Sequence, residues 1–323
     1  MHTNEHLENH RKILNLSEAA VKMNDANYTS LTDRGILSVS GKDSLAFLQG
    51  IVTNDVTKVS ASQVIYSALL TPQGKYLSDF FIVKSDAGFL LDCPASQLNE
   101  LAKRLTTYRL RAKVDIEDQS KNFNVISIVG KKAQSDTGPP ETLGKVIASS
   151  DPLVFLDPRL IELGIRVISP AASTQNFLKA MGYKAEGIAS YKAQQFSLGV
   201  PDGGDEEIFK QAFPLEIGFD ELNAISFDKG CYIGQEVTTR MKIRRLVKKR
   251  LVPAVFSGNP PQPGSIIQKQ DVKAGQIFSV SGEVGLAMLR LEILDQVLAE
   301  GIELVAEEAT LKVKKPSWFK ISD

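Results

Sequence analysis

Short apolar runs bounded by turn residues predict strands and helices in mixed order through most of the chain. A strand at residues 35–40 precedes Gly41-Lys-Asp-Ser44, which opens a helix with apolar residues on one face. Strands at 64–70 and 77–83 are joined by the turn Thr71-Pro-Gln-Gly74, because proline and glycine stand at typical turn positions. Further strands are predicted at 89–92, 112–116, 123–129, 153–156 and 161–168, and further helices at 95–108, 173–181 and 188–198.

The C-terminal part of the chain has a different pattern. A helix is predicted to begin near Gln235, directly after Gly234. Beyond Lys248, short apolar runs alternate with glycine and proline, which predicts a small all-β unit that extends to the last residue. Its strands are expected near 251–256, 274–280 and 285–291.

Composition and charge exclude several classes of protein. The 323 residues are 43% hydrophobic and 24% charged, which is ordinary for globular domains, and the formal net charge is zero. No global field therefore attracts nucleic acid or a membrane, and no run of 18 apolar residues predicts a membrane span. The first 14 residues lack the apolar core of a signal peptide and are too acidic for a typical transit peptide, so we expect a cytoplasmic chain.

Histidine and cysteine usage narrows the chemistry further. All three histidines (His2, His6 and His10) lie in the first ten residues, so we expect no Ser-His-Asp triad, Cys-His dyad or His-ligated zinc in the folded body. The terminal histidines could share one helical face and bind a metal, although a solvated terminus is the more usual case. The two cysteines, Cys93 and Cys231, form no CxxC pair and are too few to hold an iron–sulfur cluster alone.

Cys231 is the strongest candidate for a reactive group. It lies between Gly230 and the helix predicted from Gln235, and Lys229 stands two positions before it. A nearby cation and a helix N-terminus both favour the thiolate form of a cysteine, and flanking glycines allow a ligand to approach closely. The alternative is a small buried hydrophobic residue, which is the commonest state of a free cysteine.

Two further features have both a chemical and a structural interpretation. Asp79 stands alone in an apolar strand, where burial favours the protonated form of a carboxyl group. Seven basic residues within positions 240–250 suit a polyanion such as RNA or a polyglutamyl tail, or else form a solvated helix end and linker. These residues are Arg240, Lys242, Arg244, Arg245, Lys248, Lys249 and Arg250.

Three segments resemble the glycine-cleavage T-protein (aminomethyltransferase) superfamily. Residues 41–56, Gly-Lys-Asp-Ser-Leu-Ala-Phe-Leu-Gln-Gly-Ile-Val-Thr-Asn-Asp-Val, are similar to its opening signature, and Tyr66–Lys75 is similar to its next hairpin. The segment Asp228-Lys-Gly-Cys-Tyr-Ile-Gly-Gln-Glu-Val237 resembles the hallmark of the YgfZ branch, which includes mitochondrial relatives needed for iron–sulfur protein assembly.

The resemblance implies an α+β fold in which three subdomains form a cloverleaf around a central folate channel, the last of them a small β-barrel. The implied domains are an N-terminal extension at 1–27, a folate-binding region of two intertwined subdomains at 28–247 and the barrel at 248–323. The implied cofactor is tetrahydrofolate or another folate derivative. The implied functional residues are Lys229, Cys231 and Asp79 for chemistry, and Tyr232, Gly234, Gln235, Glu236 and Arg240 for cofactor binding.

Three positions depart from the aminomethyltransferase pattern. The paired aspartates that follow the superfamily turn are matched by Ser78 and Asp79, and the folate-gripping glutamate is matched by Ser197. Cys231 stands where T-proteins commonly have an aspartate, which exchanges a fixed charge for a nucleophile or soft metal ligand. These departures speak against aminomethyl transfer.

Three functions follow as hypotheses. The first is a folate-binding accessory factor for assembly or repair of iron–sulfur clusters in client enzymes, including tRNA-modifying ones, with those clients or assembly proteins as partners. The second is a folate-dependent aminomethyl or methyl transferase. The third is an RNA-contacting factor, against which zero net charge and the scarcity of aromatic residues in the basic segment count. We expect a monomer with no membrane partner.

Overall fold

The computed structural model of the protein describes residues 26–130, 143–203 and 209–319, which fall into two compact units. Unit 1 contains the described residues of 1–45, 56–66 and 81–188, and unit 2 contains those of 46–55, 67–80 and 189–323. The predicted N-terminal extension lies almost wholly outside the described residues, as do the three histidines. No helix in the described ranges is long and apolar enough to cross a membrane.

Seventeen strands and six α-helices occur in the described ranges. The strands are β1 (Ala26–Ser30), β2 (Arg34–Ser40), β3 (Ile65–Leu70), β4 (Tyr76–Ser85), β5 (Gly88–Pro94), β6 (Asp115–Asp118), β7 (Phe123–Gly130), β8 (Val146–Ala148), β9 (Leu153–Leu156), β10 (Ile165–Pro170), β11 (Lys184–Glu186), β12 (Lys249–Ser257), β13 (Ile266–Lys269), β14 (Val272–Ser281), β15 (Val284–Arg290), β16 (Leu304–Ala306) and β17 (Ala309–Val313). The helices are α1 (Ser44–Gln49), α2 (Leu98–Arg109), α3 (Thr174–Met181), α4 (Ile188–Ser197), α5 (Gln235–Ile243) and α6 (Leu291–Glu300).

The strands form two open sheets and one closed barrel. One sheet has the order β11-β1-β7-β10-β9-β8, and the other has the order β3-β4-β5-β2-β6. Strand β3 is buried along its whole length, and β4 is buried from Tyr76 to Val83, so both faces of these strands are covered. The predicted turn between them is confirmed, since the Gly74 N–H donates to the Thr71 carbonyl at 2.8 Å.

The closed barrel at the end of the chain has the order β12-β15-β14-β13-β16-β17 and belongs to unit 2. Closure pairs every edge, and the inward residues form one continuous apolar core. The α+β architecture and the C-terminal barrel predicted from the sequence are confirmed. The domain boundaries at residues 27 and 247 stay predictions.

The prediction of an all-β C-terminal region is wrong in one respect, because α6 interrupts it. Ile293, Leu294 and Val297 of this helix are buried at helical spacing, which is the period of an amphipathic helix and not of a strand. Gly301 ends the helix in the left-handed conformation (φ 66°). The apolar residues of α6 pack against the barrel core, so the helix covers one part of the barrel.

Two predicted strands are displaced. The strand predicted at 112–116 is Asp115–Asp118, and the strand predicted at 161–168 begins only at Ile165, because Ile161–Leu163 forms a 3-10 turn. The short strands β1, β8, β11, β13, β16 and β17 were not predicted. With three to five residues each, they carry too few alternating positions for a pattern to identify them.

Candidate functional site around Cys231

Cys231 presents an exposed, free thiol on the loop that leads into α5. A β-carbon added to its neighbour Gly230 would meet no atom within 4 Å, so the space beside the cysteine is open. Cys93, by contrast, is fully buried in β5, and its Sγ lies 3.7 Å from the Gly35 carbonyl oxygen. The prediction that Cys231 lies near a helix start is confirmed, and the interpretation as a buried hydrophobic residue is excluded. That it lines a central cleft stays a prediction.

The Lys229 side chain fastens this loop to the interior of unit 2. Its ammonium group donates hydrogen bonds to the carbonyl oxygens of Val52 at 2.7 Å and Asn54 at 2.8 Å, and the residue is only 8% exposed. Burial lowers the pKa of Lys229 to about 8, and the nearby Asp55 carboxylate offsets part of that effect. Lys229 therefore has a structural role in addition to the thiol-tuning role predicted for it, which stays a prediction.

The segment at residues 52–54, whose carbonyl groups accept the hydrogen bonds of Lys229, is itself held by side-chain hydrogen bonds. The Thr53 hydroxyl donates to the Ala224 carbonyl at 2.7 Å, and the Asn54 amide donates to the Asn223 carbonyl at 2.8 Å. Since each bond joins the 52–54 segment to the stretch just before Lys229, the loop that carries Cys231 is held at several points. Thr53 and Asn54 were inside the quoted signature, but neither was identified as a positioning residue.

Gly234 sets the direction in which the chain enters α5. It is the N-cap of the helix and has φ 83°, in the left-handed region that favours glycine. A β-carbon at this position would lie 2.7 Å from the Thr71 carbonyl oxygen and 3.1 Å from the α-carbon of Gly74. The start of α5 thus packs directly against the 71–74 turn, which leaves no room for a side chain at Gly234.

The other predicted cofactor-binding residues have different environments. Tyr232 is buried, and burial raises the pKa of its hydroxyl to about 12. Gln235 is the first residue of α5 and is partly buried. Glu236 and Arg240 are solvent-facing, with their charged groups 3.9 Å apart on successive turns of α5, a pair that contributes little in water. Their role in folate binding stays a prediction.

Asp79 is covered by backbone. It is 3% exposed, and its Oδ1 accepts a hydrogen bond from the Tyr76 hydroxyl at 2.6 Å. A β-carbon added to Gly203 would lie 2.1 Å from that Oδ1 and 1.9 Å from the Tyr76 hydroxyl oxygen. The chain at residue 203 therefore rests directly on the carboxylate, and only glycine fits there. Gly203 is not among the functional residues predicted from the sequence. The sequence feature that could have identified it is the pair of adjacent glycines, Gly203 and Gly204.

The segment that covers Asp79 is anchored to helix α4. The Gln195 side-chain amide donates to the Pro201 carbonyl at 2.7 Å, and Lys192 pairs with Asp202 at 2.7 Å. Next to Asp79, the Ser78 hydroxyl is buried without a hydrogen-bond partner among the described residues. The two residues that match the paired aspartates, Ser78 and Asp79, are thus both buried.

Acidic side chains neutralise part of the basic segment. Arg250 is 7% exposed and pairs with Glu221 at 2.7 Å, and Lys242 pairs with Asp220 at 2.9 Å. With Arg240, which lies 3.9 Å from Glu236, three of the seven cations therefore have an acidic partner. No group of three or more His, Cys, Asp or Glu side chains in the described ranges is arranged to hold a metal ion.

Comparison with known proteins identifies the family. The GCVT N-terminal domain matches residues 15–137, and the CAF17 C-terminal β-barrel domain matches residues 248–321. The mitochondrial iron–sulfur cluster assembly factor IBA57 homologue of Pyricularia oryzae is 30% identical, over 88% of this chain and 77% of that protein. The chain belongs to the IBA57 family. The homologue from Neurospora crassa is 29% identical, over 91% of this chain and 81% of that protein.

A solved structure confirms the fold. The crystal structure of glycine cleavage system aminomethyltransferase T from Bartonella henselae superposes with a TM-score of 0.65 and 13% identity, over 96% of this chain and 89% of that one. The aminomethyltransferase-like fold implied by the three quoted segments is therefore confirmed. At this identity the likeness extends to the fold alone.

Membership of the IBA57 family changes two predictions. The placement in the YgfZ branch is not confirmed at that level, because the curated relatives carry the IBA57 name. The prediction of a cytoplasmic chain is wrong, because those relatives are named mitochondrial. That prediction used the acidic composition of the first residues, which lie outside the described ranges, and the composition of so short a segment does not decide a compartment.

Proposed function

We propose that this chain is an accessory factor for assembly or repair of iron–sulfur clusters and that it acts through Cys231. Membership of the IBA57 family supports the role, and the mitochondrial names of the curated relatives support the mitochondrion as the compartment. The observation that carries the proposal is the contrast within three residues: the Cys231 thiol is exposed, while Lys229 is buried and bonded to two backbone carbonyls.

An exposed thiol on a fixed loop is a suitable arrangement for a group that binds to or reacts with another molecule. An exposed sulfur is a soft ligand and nucleophile that iron- or sulfur-bearing groups can approach. A loop held by a buried ammonium group loses little conformational freedom when a partner binds, so less binding free energy is spent on ordering it. Its partners would be iron–sulfur client or assembly proteins, which include tRNA-modifying enzymes in the proposal, and the chain would act as a monomer without a membrane partner.

Transfer of an aminomethyl group is the disfavoured alternative. The carboxylate that the superfamily pattern marks for transfer, Asp79, is bonded to Tyr76 and covered by Gly203. The second carboxylate of the pair is replaced by Ser78. The described residues of unit 2 thus do not fit transfer chemistry on folate, and we derive no step through that cofactor.

Tetrahydrofolate binding without transfer is a separate part of the proposal. The match to the GCVT N-terminal domain and the aminomethyltransferase-like fold support it. The residues proposed to contact the cofactor are those of the Cys231 loop and of α5, namely Tyr232, Gly234, Gln235, Glu236 and Arg240. Calorimetry with the full chain tests it: micromolar-class binding, about −8 kcal/mol, is expected. Absence of heat and of a thermal shift at millimolar tetrahydrofolate would reject folate binding.

Depletion of the chain from its own cells tests the main proposal. Iron–sulfur enzymes should lose activity, and enzymes of the same compartment that need no cluster should keep theirs. Re-expression of the wild-type chain should restore the loss. Equal loss in both classes of enzyme, or no loss in either, would contradict a role in cluster assembly.

A further inference from the structure

A cationic pocket lies at one end of the barrel, between strands β12, β14 and β15 and the segment at residues 211–216 of the same unit. Its volume is about 240 Å³. Lys249, Lys273 and Arg290 line it, together with Glu216 and, at its floor, the apolar side chains of Phe278 and Met288. None of these residues belongs to the Cys231 loop or to α5.

Two of the cations face each other across neighbouring strands. Lys249 of β12 is the direct register partner of Arg290 of β15 in the antiparallel pair. Like charges directly opposite in a sheet destabilise it, so folding alone does not account for this pair. The Arg290 guanidinium reaches Glu292 only at 4.0 Å and at an exposed position, and Lys249 and Lys273 have no acidic partner among the described residues. Three cations thus line the pocket together with one carboxylate, Glu216, which leaves an excess of positive charge.

A fourth cation adds to the excess. The Lys75 ammonium donates to the Gln211 carbonyl at 2.6 Å, beside the pocket wall. Burial lowers the pKa of Lys75, Glu216 offsets part of the effect, and repulsion from Lys249 adds to the lowering. The carboxylate that lines the pocket is Glu216, which accepts a hydrogen bond from the Phe213 N–H at 3.0 Å. Three cations and one carboxylate thus line the pocket, and a fourth cation lies beside its wall.

We propose that this pocket binds a small organic or inorganic anion that carries at least two negative charges, in carboxylate or phosphate groups. Lys249, Lys273 and Arg290 would each meet one charged oxygen, and charge-assisted hydrogen bonds of this kind are the strong ones. The volume lies below the usual range for drug-sized ligands and cofactors, so a compact anion fits and a nucleotide-sized one does not. Relief of the repulsion between Lys249 and Arg290 would contribute to the affinity.

Calorimetry on the full chain with inorganic pyrophosphate and, separately, with citrate tests the site. The double variant Lys249→Gln/Lys273→Gln removes two pocket cations. The matched control, Lys42→Gln/Lys58→Gln, removes two exposed lysines elsewhere and leaves the same net charge. At least one probe should bind the wild type and the control alike, and should bind the pocket variant about tenfold or more weakly. A melting curve for each variant checks that it is folded.

The two probes also distinguish the source of the charge. Preference for pyrophosphate assigns a phosphate-bearing ligand, and preference for citrate assigns a carboxylate-bearing one. Lys249→Arg should keep the binding, because the charge remains. No binding of either probe to the wild type at millimolar concentration and physiological salt would overturn the proposal. So would equal weakening in the pocket variant and the control, since that result means general attraction to positive charge.

Discussion

The Lys229 ammonium nitrogen lies 2.8 Å from the carbonyl oxygen of Asn54, a residue 175 positions earlier in the chain. The same nitrogen bonds the Val52 carbonyl at 2.7 Å. A lysine carries its charge on a long, freely rotating side chain, so two short bonds in a buried setting fix what would otherwise be a mobile group. The position of the loop that carries Cys231 therefore depends on contacts with Val52 and Asn54, which lie far from it in the sequence.

The buried ammonium predicts a pH dependence of stability. The pKa of Lys229 is lowered to about 8 in the folded chain from an ordinary value of 10.5. Between these pH values the unfolded chain holds a proton on this residue that the folded chain has released, and stability therefore rises with pH through that window. We expect the wild type to gain stability relative to Lys229→Met as the pH goes from 8 to 10.5.

Chemical denaturation at a series of pH values measures this difference. The control is Lys42→Met, which removes one positive charge from an exposed position. Below about pH 8 the Lys229→Met difference should be constant, because both states are protonated. Parallel pH profiles for the wild type and Lys229→Met would contradict the buried, charged anchor.

The two glycines that flank Cys231 should respond differently to alanine. Gly234→Ala forces a side chain into a left-handed conformation, 2.7 Å from the Thr71 carbonyl oxygen, and should lower the free energy of unfolding by about 1–3 kcal/mol. Gly230→Ala meets no atom within 4 Å and should change it by about 0.5 kcal/mol or less. Thermal or urea unfolding of both variants measures this, and equal effects would mean that the 71–74 turn does not pack on Gly234.

Asp79 should be replaceable without loss of function. Asp79→Asn keeps an oxygen that accepts the Tyr76 hydrogen bond and fits under Gly203, but it removes the charge that transfer chemistry would need. We expect this variant to restore iron–sulfur enzyme activities in depleted cells. If Asp79→Asn melts like the wild type and yet fails to restore them, Asp79 takes part in the chemistry and its covered position is not its working state.

The repulsion at the barrel pocket predicts a stabilising substitution. Removal of one member of the Lys249–Arg290 pair should raise the free energy of unfolding at low salt by about 0.2–1 kcal/mol, since like charges directly opposite destabilise a sheet. Urea unfolding of Lys249→Gln without added anion measures the gain, and Lys42→Gln serves as the control of equal net charge. A loss of stability in Lys249→Gln would show that its ammonium has a stabilising partner.

Local patterns predicted the elements but not the contacts that make the site. The helix at Gln235, the 71–74 turn and the strands of the C-terminal region follow from residues close together in sequence, whereas the closure of those strands into a barrel was implied by the family resemblance. The bond from Lys229 to Val52 and the contact of Gly203 with Asp79 join residues far apart, and nothing in periodicity or spacing encodes them. Helix α6 is absent from the prediction for a different reason. The strands on either side of it are separated by glycine and proline, and the prediction extends that strand pattern to the end of the chain.

Replacement of Cys231 tests the central claim most directly. Alanine removes the sulfur from an exposed position, so Cys231→Ala should melt within a few degrees of the wild type, as expected for a surface change of about 0.5 kcal/mol or less. Cys231→Ser should also melt close to the wild type. Its hydroxyl is not ionised at neutral pH, so it cannot act in place of a thiolate. Cys93→Ala is the control: it vacates a fully buried position and should lower stability while leaving the exposed thiol in place.

The measurement is the activity of iron–sulfur enzymes in depleted cells that express each variant, taken beside its melting curve. The account predicts that folded Cys231→Ala and Cys231→Ser fail to restore activity, whereas Cys93→Ala restores it in proportion to the folded protein present. Full restoration by folded Cys231→Ala would remove the cysteine from the mechanism.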